Sequence, residues 1–548
     1  MTGAQAVVKA MEEQKVKTVF GYPGAAICPL YNALIDSGIT HVLTRHEQGA
    51  AHAANGYARA TGLTGVCIAT SGPGATNLIT GLATAHMDSI PLVAITGQVA
   101  TNLIGRDVFQ EADITGAAMP FCKHSYLVKN AGDLPRIIAE AFHIASTGRP
   151  GPVLIDLPVD VQNQETDYMR PESINIRGYK PTYKGSRMQA KKIAGILNKA
   201  ERPVICAGGG IISSGSSGEM LKLADMLGIP VVTTLMGIGS IPSAHKLCMG
   251  MLGSHGTKAA NSAINKADLL LILGARVGDR SMSSTAQIAA KATIVHVDID
   301  PAEIGKNINV DIPVVGDLKN VLKDIISILD DSRDSTTEDA AKAWREELFK
   351  IKASSGPEEK YLATNKKSVN PKRFINMLSG MVPEDTVITT EVGQNQIWAA
   401  NHYSISRPRT FITSGGLGTM GYGLPASIGA AEALPGKTVI NISGDGSFQM
   451  SLQELGTIKQ HKTAVKIIIF NNSRLGMVRE LQACKYEGRC TQVFLDDNPD
   501  FMMLAEAYGI SHFRLDNDEG AKDAISNMLA KKGPFLLECI VDPEEPTL

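Results

Sequence analysis

Short runs of aliphatic and β-branched residues punctuate this chain, and they are apolar at consecutive positions rather than at every second one. A strand that is apolar on both faces must be covered on both faces, a condition met by a parallel sheet with helices above and below it. Such runs fall at 17–21, 41–44, 66–70, 92–96 and 153–157, with alanine-rich helical stretches such as 48–60 between them. A second set lies at 204–207, 231–234, 269–273 and 294–299, and a third at 386–391, 438–443, 465–471 and 535–541. The alternation predicts an α/β chain of three parallel-sheet domains, over residues 1–165, 185–335 and 370–548. The polar stretch 162–187 reads as one linker, and the charged stretch 330–372 as a helix followed by a second linker.

The 548 residues give room for three or four domains of the usual ~100–200. A net charge of -2 supplies no basic field for nucleic acid. No apolar run reaches the ~20 residues of a membrane helix. The eight cysteines form no CxxC pair and several sit inside apolar runs, which favours reduced thiols in a reducing compartment. The opening MTGAQAVVKAMEEQKV reads as the first helix of a domain, not as a signal or transit segment. A soluble, cytoplasmic protein is expected, with small-molecule substrates and neither nucleic acid nor membrane as partner.

The sharpest chemical signal is a pair. GDGSFQM (444–450) and FNNSRLGM (470–477) each end a strongly apolar strand, and Asp445 and Asn472 stand 27 positions apart, one crossover unit. Ligands of open α/β sheets bind at the carboxyl ends of neighbouring strands. A carboxylate and a side-chain carbonyl brought together there suit Mg²⁺, which takes few protein oxygens and fills its octahedron with phosphate and water. Gly444 and Gly446 let the backbone approach a diphosphate, and the helix that follows offers its N-terminal amides. Either piece alone reads as a capped turn; the two together favour a metal. A second signal is Glu47, where a small-residue helix begins. It is a helix-cap acid on the plain reading, worth about 0.3–1 kcal/mol. Its alanine and glycine neighbours favour an acid with a raised pKa that hydrogen-bonds a ring nitrogen of a cofactor. Two motifs read as accidents. The G-x-G-x-x-G at 416–421 has no acid closing a strand ~20 residues on. The P-loop-like 431–438 has Ala431 for its first glycine and a strand where a helix belongs.

Glu47, SGPG at 71–74, the GDG and NN pair and GLGTMGYGLPASIGA together resemble the thiamine-diphosphate decarboxylase superfamily. VFGYPGAA, FQEADITG, STGRPGPVLIDLP, TTLMGIGSIP, GMLGSHGTKAANSAI and VHVDIDPAEIGKNI extend the resemblance, over nearly the whole chain, to the catalytic large subunits of biosynthetic acetolactate synthases. The resemblance implies three doubly wound domains: an N-terminal pyrimidine-binding, a central FAD-bearing and a C-terminal diphosphate-binding domain. It implies thiamine diphosphate, Mg²⁺ and a structural FAD as cofactors, and a homodimer or homotetramer with active sites between subunits. Pyruvate would be decarboxylated and the two-carbon unit joined to a second pyruvate or to 2-ketobutyrate. By position, Glu47 would hydrogen-bond the aminopyrimidine, Met420 would prop the bent cofactor and Gln110 would stand near the reacting centre. Asp445, Asn472 and the Arg474 carbonyl would hold Mg²⁺. Gly24, Val392, Gly393, Gln394, Asn395, Gly418, Gly444, Gly446, Ser447 and Met477 would surround thiamine diphosphate. Arg280 would hold the second substrate's carboxylate; its plain reading is a salt bridge with Asp279. Arg149, Gly208, Gly209, His255, Gly274, Arg276, Asp298 and Asp317 would meet the flavin.

The family pattern changes at Val277 and Gly278, which stand for Phe and Asp, and at Val159, Ser254 and Asn395. Leu481 replaces a Trp that favours 2-ketobutyrate, so a weaker preference for that acceptor is expected. The chain stops soon after VDPEEPTL, where relatives carry a longer tail. A small regulatory subunit is a possible partner. Rival readings are a simple 2-keto-acid decarboxylase or glyoxylate carboligase, a flavin or nicotinamide oxidoreductase resting on GGGI at 208–211, and a non-catalytic paralogue. Intact Glu47, Asp445 and Asn472 weigh against the last.

Overall fold

The computed structural model describes residues 1–282, 285–332, 341–354 and 367–548. It holds three six-stranded sheets with helices between the strands, and the pairings with a defined register are all parallel, as the two-faced apolar runs require. The first sheet contains β1 (Thr18–Gly21), β2 (Thr40–Leu43), β3 (Gly65–Ala69), β4 (Leu92–Gln98), β5 (His124–Leu127) and β6 (Pro152–Pro158), in the order β2-β1-β3-β4-β6-β5. The second contains β7 (Pro203–Ala207), β8 (Val231–Thr233), β9 (Cys248–Met251), β10 (Leu269–Leu273), β11 (Thr293–Asp298) and β12 (Ile312–Val315), in the order β12-β11-β10-β7-β8-β9. The third contains β13 (Val387–Thr390), β14 (Phe411–Thr413), β15 (Val439–Gly444), β16 (Val465–Asn471), β17 (Ser511–Leu515) and β18 (Phe535–Ile540), in the order β14-β13-β15-β16-β18-β17. The first and third sheets thus repeat one topology, while the second has the strand order of a dinucleotide fold.

The five strands not expected from the sequence, β5, β9, β12, β14 and β17, all lie at a sheet edge. An edge strand pairs on one side only and need not be apolar throughout; four of the five residues of β17 are exposed.

One compact unit comprises Met1–Lys180, Thr386–Gln396 and Ile412–Pro543, so the first and third sheets fold together. The other comprises Pro181–Asp385, Ile397–Phe411 and Glu544–Leu548 and carries the second sheet. Within the first unit, the helix Glu47–Thr61 is buried on nearly every face; it starts on a His46 cap and stops at Gly62 in the left-handed conformation. It packs against the helix Gly423–Ala433 with backbones in direct contact.

The opening helix runs Gly3–Glu13, closed by a Thr2–Gln5 capping box. The stretch 162–187 is a linker only in part: Val159–Asn163 is helical, and buried Gln162 bonds the Leu30 amide and the Ala26 and Leu157 carbonyls. Of the stretch 330–372, 333–340 and 355–366 lie outside the described residues; helices occupy Leu318–Ser332, Lys342–Ser354 and Pro371–Met381. No helix among the described residues is long and apolar enough to cross a membrane.

Candidate active site

In the first and third sheets the strand order reverses between equivalent strands, β1 and β3 in one, β13 and β15 in the other. Loops diverge there and leave a crevice at the carboxyl ends. The candidate residues gather at these two points.

At the first, Glu47 opens the helix after β2. It is half-buried, and its Oε2 accepts from Asn77 Nδ2 at 3.0 Å. A Cβ on Gly24 would sit 2.5 Å from the Thr70 side chain, and one on Gly74 would sit 2.8 Å from Thr70 and 3.2 Å from Glu47 Oε1. Glycine at both positions therefore lets the backbone close on Thr70, and at Gly74 on Glu47 as well. Gln110 reaches the same crevice from the β4–β5 connection. It is held at φ +58°, and a Cβ on Gly72 would lie 2.9 Å from its carbonyl oxygen. A non-glycine residue at positive φ stores strain, which is common where a side chain must be aimed. Beside it Phe109 is 86% exposed, a large apolar surface open on this chain.

At the second point, the Asp445 carboxylate is 1% exposed. It accepts from Asn498 Nδ2 at 2.7 Å, and the same Nδ2 donates to Asn471 Oδ1 at 3.2 Å. Asn498 therefore links the GDG turn to the first asparagine of the NN pair. Burial pushes the Asp445 carboxyl up to about 6, against the pull of the Asn498 hydrogen bond. Asp445 has no ion-pair partner among the described residues, so a cation at this point would relieve the burial. Asn472 Oδ1 accepts from the Arg474 amide at 3.2 Å, the Asx turn of the plain reading. Its Nδ2 donates to Gln394 Oε1 at 2.9 Å, which ties the β16 end to the loop after β13. Ser473, at φ +54°, turns the chain so that Arg474 lies over Phe494 and pairs with Asp496.

Val392, Gly393 at φ +146°, Gln394 and Asn395 follow β13. Asn395 Nδ2 donates to the Glu391 and Ile442 carbonyls, pinning β13 to β15, and its Oδ1 lies 3.4 Å from where a Gly444 Cβ would be. Ser447 and Gly444 bond each other across their turn. A Cβ on Gly446 would meet Leu475 at 2.7 Å. The helix after Gly444 is a single turn, Asp445–Gln449. It is too short for much of a dipole, so a diphosphate here would rest on loop amides. Gly418 and half-buried Met420 lie in the loop after β14, with Gly418 at φ +70°. Met477 is half-buried in the helix Gly476–Lys485, whose Gly476 abuts Gln394.

The family models for thiamine pyrophosphate enzymes match here: the N-terminal TPP binding domain over 1–117, the central domain over 190–325 and the C-terminal TPP binding domain over 391–539. A probable acetolactate synthase large subunit of Methanocaldococcus jannaschii is 48% identical over 100% of this chain and 93% of its own length. The acetolactate synthase isozyme 3 large subunit of Escherichia coli is 44% identical over 96% of this chain and 92% of its own. This chain belongs to the acetolactate synthase large-subunit family. The acetolactate synthase large subunit of Corynebacterium glutamicum is 46% identical over 96% of this chain.

In this acetolactate synthase family chain the second sheet carries the remaining candidates. Gly208 and Gly209 follow β7, and Gly274 and Arg276 follow β10, the two strands between which its order reverses. A Cβ on Gly208 would lie 2.1 Å from the Gly274 carbonyl oxygen, so these glycines permit backbone to meet backbone. Asp298 Oδ1 accepts from the Asp300 amide, Asp317 caps the helix Leu318–Ser332 through Asn320, and the His255 carbonyl accepts from Asn401. Val277 is buried in the core and its carbonyl accepts from Asn307. Arg280 and Asp279 form the exposed 3.8 Å pair of the plain reading, with 84% and 90% of their side chains exposed. Arg149 lies in the other unit, where it donates to Ser89.

Two residues were missed. Asn498, which grips Asp445, lies in a polar turn with no motif. Glu391, fully buried, ends an apolar strand just before Gly393; a lone acid in that place was the signal available.

Proposed function

We propose that this chain is the catalytic large subunit of an acetolactate synthase. It decarboxylates pyruvate and joins the two-carbon unit to a second pyruvate or to 2-ketobutyrate, the first common step of branched-chain amino acid biosynthesis. The identity that runs through the whole chain carries this reading. Bound thiamine diphosphate supplies a thiazolium carbon that is both nucleophile and electron sink. Around it the chain's own groups position and exclude. Glu47, held by Asn77, hydrogen-bonds the aminopyrimidine and governs its proton. Met420 supports the cofactor's middle, and Gln110 faces the reacting centre. Asp445, Asn472 and the Arg474 carbonyl hold Mg²⁺, and Gly24, residues 392–395, Gly418, residues 444–447 and Met477 enclose the rest. Arg280 takes the second substrate's carboxylate, for which a guanidinium suits an exposed, unburied start.

Glu47 is held by Asn77 of the same domain, and Phe109, next to Gln110 in the chain, stands exposed. Both favour a homodimer or homotetramer in which a second copy completes each site. FAD, in a structural role, would be held by Gly208, Gly209, Gly274 and Arg276, with His255, Asp298 and Asp317 as further candidates; the remaining candidate, Arg149, belongs to the other unit. A small regulatory subunit is a further partner, by analogy with relatives named as large subunits, and the working compartment is the cytoplasm. The domain boundaries that go with this reading are 1–165, 185–335 and 370–548.

Incubation with pyruvate, thiamine diphosphate and Mg²⁺, with and without FAD, tests the function. Acetolactate and carbon dioxide should form with no electron acceptor. Acetaldehyde as the main product would make the chain a simple decarboxylase, and a requirement for an acceptor would make it an oxidoreductase.

A further inference from the structure

The loop 416–422, which carries Met420, is gripped from two sides by groups with no part in the steps above. On one side is Glu391, whose fully buried carboxylate accepts from the backbone N–H groups of Gly421 at 2.7 Å, Tyr422 at 3.1 Å and Leu424 at 3.1 Å. On the other side are residues of two helices that belong to the first sheet's domain, Glu47–Thr61 and Ile79–Asp88. Asp88 accepts from the Gly416 amide at 2.6 Å, Thr84 and Thr419 share a hydroxyl hydrogen bond of 2.7 Å, and Asn55 accepts from the Tyr422 hydroxyl at 2.7 Å. Gly418 and Gly421 sit at φ +70° and +83°. Glycine enters and leaves that region freely, so the loop's shape is imposed by these partners. Glu391 also immediately precedes residues 392–395, and its carbonyl accepts from Asn395. One residue therefore ties the loop assigned to the diphosphate to the loop assigned to the cofactor's middle.

We infer that Glu391 is a positioning residue for the reaction: it sets the Met420 loop against the diphosphate loop so that thiamine diphosphate binds in its bent form. The inference rests on the reading of Met420 and residues 392–395 given above. A carboxylate fits because it accepts at both oxygens, whereas an amide turns a donor toward the N–H groups.

The test is Glu391→Gln in the full-length enzyme. Half-saturation by thiamine diphosphate should rise and kcat fall by about 10- to 100-fold, the scale of one charge-assisted hydrogen bond lost. The KM for pyruvate should stay within about 2-fold, and the near-ultraviolet circular dichroism of the bound cofactor should change. A merely structural role would not split KM from kcat or alter that signal. Folded Glu391→Gln with wild-type cofactor half-saturation and kcat would overturn the inference. Thr84→Val, nearly isosteric, loosens the loop from the opposite side and should shift half-saturation the same way by about 3-fold. If Glu391→Gln does not fold, wild-type cofactor binding by Thr84→Val overturns the inference instead. Met420→Ala separates the two levels. If it costs activity and Glu391→Gln does not, the inference alone fails; if Met420→Ala is inert, the underlying reading fails with it.

Discussion

The helices Glu47–Thr61 and Gly423–Ala433 cross where neither can carry a larger residue. A Cβ on Gly429 would lie 1.8 Å from the Ala53 carbonyl oxygen, and one on Gly56 would lie 2.1 Å from that of Ala426. The obstacle is backbone, so no side chain can rotate away. In Gly429→Ala the helices must part by about 1.2 Å merely to reach a 3.0 Å contact. Overpacking of this kind costs about 1–3 kcal/mol, and sometimes more. Helix propensity alone works the other way and would stabilise the alanine by about 1 kcal/mol. With backbone against backbone the clash should sit at the top of its range, leaving a net loss of about 2 kcal/mol. Gly195 is the control. It lies exposed within the helix Arg187–Leu197 with nothing within 4 Å of its would-be Cβ. Gly195→Ala should therefore stabilise by about 1 kcal/mol. Scanning calorimetry or urea unfolding reads both. Gly429→Ala should lower the transition of its unit and Gly195→Ala should raise that of its own. Stabilisation by both would refute the reading of the helix crossing.

Other outcomes follow from single groups. Buried Asp156 accepts from the Thr96 hydroxyl at 2.7 Å and from Gln98 at 2.9 Å, and burial pushes its carboxyl from 3.8 up to about 7. A raised folded pKa means that the native state holds the proton more tightly, so the stabilisation is full below about 4 and is lost as pH rises to about 7. The stability of wild type relative to Asp156→Asn should fall across that window, and a flat or rising difference would refute the assignment. Leu481, 49% exposed, should become part of an acceptor wall in Leu481→Trp. Its ratio of acetohydroxybutyrate to acetolactate, in competition, should rise by about 10-fold or more. An unchanged ratio would remove position 481 from acceptor choice. Glu47→Gln should cut turnover by about 10²- to 10⁴-fold, with far-ultraviolet circular dichroism unaltered. Wild-type rates would take Glu47 out of the mechanism.

What could be read from the sequence divides along physical lines. The central strands were legible because both of their faces are covered, and such a strand is apolar at nearly every position, as in β10 and, apart from Lys466 and the closing Asn471, β16. The edge strands were not, since β5 and β17 carry polar and exposed residues and owe their conformation to one neighbour. The Asp445–Asn472 pair was legible because both residues end such central strands, so topology fixes their meeting. The grip on the Met420 loop was not. Asp88 meets Gly416 and Thr84 meets Thr419 across more than three hundred residues of chain, through hydrogen bonds of common residues that leave no local pattern. The crossing glycines were hidden for the same reason: Gly56 and Gly429 look like ordinary small residues in alanine-rich helices until the second helix is in place.

Titrating thiamine diphosphate into wild type and Asp445→Ala by calorimetry, each with Mg²⁺ and with a chelator, puts the metal-anchored site directly to the test. Wild type should bind tightly only with Mg²⁺, and the variant should bind weakly under both conditions. Equal affinity in all four titrations would mean that no ion links these strand ends to the diphosphate, and the proposed site would be wrong.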